Sequence, residues 1–196
     1  MGENQSVLET RVVKRVAAVP YKPLRSQSLP VNPTAEEVDS FRDSIAKLKK
    51  LANERLLVCS NTFETEARKI DALMRKQPID IHEYQTRTKE GGLTTKGIAI
   101  VVRNLRFPKV KVGNGKSGVV IYYMCADSPA AFRAFLRELV AHYHDRGQLQ
   151  VFATNVDAYS DVYPFTKQEF TASERQALGI PVPEHGALLS LSLPQA

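Results

Sequence analysis

From Thr34 the apolar positions Val38, Phe41, Ile45, Leu48, Leu51 and Ala52 recur at three- and four-residue spacing, which predicts one buried helical face. Thr34-Ala-Glu-Glu37 fits a capping box at its start, where the hydroxyl and the carboxylate satisfy each other's orphan backbone amides. The pattern resumes at Phe63, Ala67, Ile70, Leu73 and Met74, after Ser60-Asn61-Thr62. Residues 35–76 therefore read as two antiparallel helices or one long one. Ser and Asn compete for backbone hydrogen bonds and favour the break. Pro78 ends the helical region.

From residue 93 the period changes. Ile98 to Val102 and Val119 to Met124 are β-branched and aromatic, as strands require. Three glycines and Asn114 lie between Gly113 and Gly118, so a turn is expected there. Lys109 and Lys111 alternate with Val110 and Val112 and would share one face of an extended segment. Together these segments predict a hairpin with a basic tip.

Asp127-Ser128-Pro129 opens a further helix, with serine at the cap and proline at the first helical position. Phe132, Phe135, Leu136, Leu139, Val140 and Tyr143 form its apolar face, and Gly147 closes it. Leu149 to Ala153 reads as a strand, and Thr171-Ala-Ser-Glu174 as a second capping box before a short helix to Leu178. Leu188 to Leu193 alternates like a half-buried terminal strand.

Residues 1–33 behave differently. Pro20, Pro23, Pro30 and Pro33 recur without hydrophobic periodicity, so this stretch is expected to be an extended basic arm. The expected architecture is α+β: a mostly antiparallel sheet of about four strands with packed helices, preceded by a helical pair and the arm. In domain terms this gives an arm over 1–33 and one α+β domain over 34–196. Within that domain, 34–78 is the helical pair and 93–196 the sheet-containing core.

At 196 residues, with 43% hydrophobic and 24% charged, the chain is neither disordered nor a small disulfide scaffold. No apolar run approaches the roughly 18 residues that span a bilayer, and no signal-peptide core is present, so no membrane is expected. Cys59 and Cys125 lie in apolar surroundings and read as buried free thiols. That reading places the chain in the cytoplasm or another reducing compartment.

The formal net charge is +6, and residues 87–116 carry eight Lys/Arg and one acid, Glu90. A block this concentrated focuses potential and holds polyanions. The eight are Arg87, Lys89, Lys96, Arg103, Arg106, Lys109, Lys111 and Lys116, with Phe107 placed among them to stack on a base. Tyr122 and Tyr123 occupy adjacent strand positions, so one is expected on each face of the sheet. Arg11, Lys14 and Arg15 on the arm would serve as an accessory clamp.

Catalytic constellations fare poorly. His142-Tyr143-His144 has the look of a paired metal site, but it falls on a helix, where i and i+2 point apart. Gly113-Asn-Gly-Lys116-Ser117 lacks the first glycine of a phosphate loop and leads into a strand. Asp157 and Asp161 read as solvated loop residues. No cofactor and no metal are expected.

The sequence therefore points to a non-enzymatic nucleic-acid-binding protein, DNA or RNA unresolved. It would contact the phosphate backbone through the basic hairpin and arm with weak sequence selectivity. Two alternatives stand beside it. One is a structural subunit of an assembly, a nucleocapsid or coat protein whose arm and helical pair join copies in a homo-oligomer. The other is an adaptor that meets an acidic protein partner.

Overall fold

The computed structural model describes residues 22–55, 58–59, 74, 77–105, 118–148, 150–153, 162–178 and 185–190. Eight strands form one sheet: β1 (Leu24–Leu29), β2 (Val58–Cys59), β3 (Ile79–Arg87), β4 (Leu93–Leu105), β5 (Gly118–Ala126), β6 (Gln150–Ala153), β7 (Thr166–Glu169) and β8 (His185–Ser190). Three helices lie among the described residues: α1 (Ala35–Arg55), α2 (Pro129–His144) and α3 (Ala172–Leu178).

The strand order is β1-β3-β4-β5-β6-β8-β7, and β2 pairs with the far end of β5. All neighbours are antiparallel except β5 and β6, which run parallel from Gly118↔Gln150 to Ile121↔Ala153. Helix α2 makes the crossover that a parallel pair needs.

This corrects the expected sheet of about four strands behind a helical pair and an arm. Leu24–Leu29, inside the expected arm, is the edge strand β1, and Leu29 is buried. The prolines flank this strand instead of entering it, which leaves its ladder donors intact. A single helix over 35–76 is excluded because α1 ends at Arg55 and β2 follows. Of the second half of the expected helical pair only Met74 is described, in a turn and buried in the α1-side core; the rest lies outside the described residues.

Strand β3 was not anticipated at all. Ile79-Asp-Ile-His-Glu-Tyr84 alternates with period two, but the polar residues on one face mask it as a linker. The sheet buries both faces. On one, Val38, Phe41, Ile45, Leu48 and Ala52 of α1 meet Ile79, Ile81, Ile98, Ile100 and Val102. On the other, the apolar stripe of α2 from Phe132 to Tyr143 meets Ala99, Val101, Val119 and Ile121. Both helices start as their sequences dictate. Thr34 and Glu37 exchange side-chain hydrogen bonds with each other's amides, and Ser128 Oγ accepts from Ala131 N at 3.2 Å.

A register shift between Ile100 and Val101 departs from simple alternation. Ile100 pairs Tyr123 and Val101 pairs Ile121, leaving Tyr122 as the extra residue of a bulge. Tyr122 and Tyr123 therefore both join the α1-side core and are buried. The expectation of one tyrosine on each face is corrected. Burial pushes the Tyr123 hydroxyl up to about 12.

Cys125 is disulfide-bonded. The chain's other cysteine, Cys59, is its antiparallel Cα partner. The free-thiol expectation is corrected, and the reducing compartment loses the observation it rested on. No helix among the described residues is long and apolar enough to cross a membrane.

Candidate active site

Strand β1 pairs with β3 so that Ser26 lies directly across from His82. Cross-strand neighbours bring their side chains within contact distance. Ser26 Oγ is 2.8 Å from His82 Nδ1. Two residues back along β3, Asp80 shares the face of His82, as the period of a strand requires. Tyr143 descends from the last turn of α2 between them. Its hydroxyl donates to Asp80 Oδ2 at 2.8 Å and lies 2.6 Å from His82 Nε2. The direct separation of His82 Nε2 from Asp80 Oδ2 is 4.0 Å, so the tyrosine mediates between them.

These contacts fix the direction of every proton. Tyr143 spends its single proton on Asp80, so its oxygen must accept from His82 Nε2–H. The Nδ1 lone pair of His82 is then free to accept from the Ser26 hydroxyl. A one-way chain results: Ser26 to His82 to Tyr143 to Asp80. The far members are buried, with His82 0% and Asp80 3% exposed, while Ser26 opens to solvent.

The electrostatics hold this arrangement. Burial, aided by His142, Arg146 and Arg103, lowers His82 to about 3, so the ring is neutral at ordinary pH. Burial and the adjacent Asp80 charge hold the Tyr143 hydroxyl well above its usual value, so it stays protonated. Arg103 Nε approaches Asp80 Oδ2 at 2.8 Å as an ion pair without an aligned hydrogen bond, and Asp80 Oδ1 is buried with no hydrogen-bond partner. A buried carboxylate oxygen with unused lone pairs retains the capacity to take a proton.

The Ser26 hydroxyl faces a cleft of about 370 Å³ between the Lys22–Ser26 segment and the C-terminal half of α2. Its walls include Lys22, Glu138, His142 and Arg146. The His142 ring packs edge-on to His82 at 5.0 Å between centroids, and partial burial lowers its proton affinity. The Arg146 side chain is anchored by Nη1 donating to the carbonyl of His142 at 2.9 Å. Among the described residues, no group of His, Cys, Asp and Glu forms a metal site.

Four of the sequence-selected residues fall among the described residues, Arg87, Lys89, Lys96 and Arg103. Arg87 and Lys89 stand at the β3–β4 turn and are exposed. Lys96 is tied to Asp127 at 2.5 Å, and Arg103 to Asp80. Arg106, Phe107, Lys109, Lys111 and Lys116 lie outside the described residues, as do Arg11, Lys14 and Arg15 on the arm. So do Asp157 and Asp161. Linear charge density cannot show that Lys96 and Arg103 face carboxylates distant in sequence. Ser26, Asp80 and His82 went unnoticed. The available signal was the polar pair at i and i+2 inside the Ile-Asp-Ile-His alternation.

No family model and no curated protein sequence matches this chain. Two solved structures superpose on it loosely. One is an N-acetyltransferase from Staphylococcus aureus Mu50, with TM-score 0.39 and 10% identity, covering 87% of this chain and 97% of that one. The other is a protein assigned as a phosphinothricin N-acetyltransferase, with TM-score 0.33 and 8% identity, covering 88% and 99%. Superpositions this loose assign neither a fold family nor an activity. Within the chain itself, Lys96 and Arg103 are each held by a carboxylate, and the described residues build instead a polar chain from Ser26 through His82 and Tyr143 to Asp80; on these grounds the nucleic-acid-binding reading, its two alternatives and the expectation of no enzyme are corrected.

Proposed function

We propose that this protein is an acyl-transfer enzyme, hydrolase or transferase, with Ser26 as its nucleophile. The observation that carries the reading is the directed chain from Ser26 through His82 and Tyr143 to Asp80. It ends on an exposed hydroxyl at the mouth of a cleft. A serine hydroxyl is a weak nucleophile until an adjacent base accepts its proton. Here the base is neutral and correctly tautomeric.

Ser26 Oγ attacks the acyl carbonyl carbon and forms the new C–O bond. Its proton passes to His82 Nδ1 as the Nε2 proton moves to Tyr143 Oη and the Tyr143 proton to Asp80 Oδ2. The imidazole never has to hold a net charge, which its buried and cationic surroundings oppose. The positive charges of Lys22 and Arg146 at the cleft favour the developing oxyanion. Collapse breaks the bond to the leaving group, which recovers the proton along the same path. Water or another acceptor then releases the acyl group from Ser26.

A fluorophosphonate probe followed by peptide mass spectrometry tests this reading, together with p-nitrophenyl acetate turnover. Modification at Ser26 is expected, with both modification and turnover lost in Ser26→Ala and reduced at least about a hundredfold in His82→Gln. Absence of label on Ser26, or unchanged turnover in Ser26→Ala, overturns it.

A further inference from the structure

A second groove, of about 560 Å³, lies on the opposite side of β1, between that strand and α1. This volume falls in the range of about 300–1,000 Å³ common to small-molecule sites. Its floor is apolar, formed by Leu48 and Ile81, both buried. Its rim carries Arg25 from the strand and Lys47 from the helix, with the hydroxyls of Ser40 and Ser44 and the amide of Gln27. Ser40, Ser44 and Lys47 follow one another at helical spacing, so α1 presents them as one row.

The charge balance gives this groove its character. Neither Arg25 nor Lys47 forms an ion pair among the described residues. Among the described lining residues the one carboxylate is Glu83, opposite Arg25 in register. Its Oε2 is engaged by Thr95 Oγ1 at 3.0 Å and Gln85 Nε2 at 3.3 Å. Two cations against one carboxylate, none of them ion-paired among the described residues, leave a net positive potential above the apolar floor. Ser44 Oγ donates to the Ser40 carbonyl at 3.1 Å, which leaves its lone pairs to accept from a ligand.

We infer that this groove binds a small phosphate monoester bearing hydroxyl groups, of the sugar-phosphate class. Arg25 and Lys47 hold the phosphate, the arginine by its planar fork and the lysine as a point charge. Gln27, Ser40 and Ser44 meet the hydroxyls, and the apolar floor packs against the carbon skeleton. Inorganic phosphate alone would leave most of the volume and all of the hydroxyl-facing groups unused. The inference does not depend on the acyl-transfer reading: Ser26 also borders this groove, but the phosphate and hydroxyl contacts are assigned to Arg25, Gln27, Ser40, Ser44 and Lys47 and to no member of the proton chain.

Amide NMR titrations of the full chain at constant ionic strength test it, with inorganic phosphate, glycerol 3-phosphate and ribose 5-phosphate as probes. Saturable shifts are expected at Gln27, Ser40 and Ser44, tightest for ribose 5-phosphate. Arg25→Gln and Lys47→Gln should each weaken binding about tenfold, as loss of a charge-assisted hydrogen bond requires. Arg133→Gln, at an exposed position on α2, should change nothing. All the substituted side chains are exposed, so the fold is retained. Lack of saturable shifts, binding unchanged in the Arg25→Gln/Lys47→Gln double variant, or an equal loss in Arg133→Gln overturns the site. Equal affinity for inorganic phosphate and ribose 5-phosphate overturns the assignment of its ligand.

Discussion

On the α1 face of the sheet, Phe41, Ile45 and Leu48 meet isoleucines and valines, and the only polar groups of that cluster are the hydroxyls of Tyr122 and Tyr123. On the α2 face, Phe135, Leu136 and Leu139 pack as tightly, but the same layer also buries Asp80, His82 and the Tyr143 hydroxyl. The first face is stabilised chiefly by area and shape. The second adds a chain of hydrogen bonds from Ser26 to Asp80, with Arg103 beside Asp80 and the Asp80 Oδ1 atom left unpartnered. A buried polar group costs little while paired and several kcal/mol once orphaned, so the two faces fail in different ways. Apolar packing of the α1 kind would have served stability equally well at Asp80 and His82. Their burial beside an open cleft is the feature on which the acyl-transfer proposal rests.

The largest effects should come from breaking each face at its centre. Phe41→Ala and Asp80→Ala are each expected to cost about 3–5 kcal/mol in denaturant unfolding, the first through a cavity and the second through stranded partners. The contrast lies in the remedies. Phe41→Leu should recover much of the loss, because volume is what matters there. Asp80→Leu should recover little, since it leaves Arg103 and the Tyr143 hydroxyl unpaired. Equal recovery at the two positions would erase the distinction between the faces.

A smaller, graded effect is expected from pH. The folded value of His82 is about 3 against 6.5 for an ordinary histidine, so the unfolded chain binds the extra proton between those values. Its contribution is fully present above about pH 6.5 and is lost as pH falls toward 3, on the order of 1 kcal/mol per pH unit. His142, also lowered, acts in the same direction. Thermal melts from pH 7 to 4 should show this slope, and His82→Phe should flatten it. An unchanged slope in that variant would mean that other groups set the acid sensitivity.

The smallest stability effect is expected at Ser26. Its side chain is exposed and its loss removes one hydrogen bond, to His82 Nδ1, so Ser26→Ala should cost about 1 kcal/mol in unfolding. A substitution mild in stability but decisive for probe labelling would separate the proposed reactive end of the chain from its structural end. A loss above about 2 kcal/mol would make Ser26 part of the packing instead.

Local rules made some elements legible. The capping residues Thr34, Ser128 and Thr171, the apolar stripe of α2 and the strand pair around Ile100 and Tyr123 all follow from short-range chemistry. Strand β1 and strand β3 did not. Prolines around β1 suggested an arm, and Asp80 and His82 interrupted the apolar signal of β3. The residues that hid this strand are the ones that carry the candidate site. Lys96 and Arg103 show the converse error, since each was counted as a free cation and each is held by a carboxylate.

The sequence by itself determined where helices begin, which helical faces are apolar and where the positive charge is concentrated along the chain. These depend on neighbours within a few positions, and the side-chain periods of helix and strand report them directly. Only the tertiary structure decided that Ser26 meets His82 across 56 residues and that Tyr143 meets Asp80 across 63. It likewise decided that a bulge turns Tyr122 and Tyr123 to one side. Such pairings are set by strand register and by the crossover of α2, and no local period encodes which distant partner a polar side chain will find.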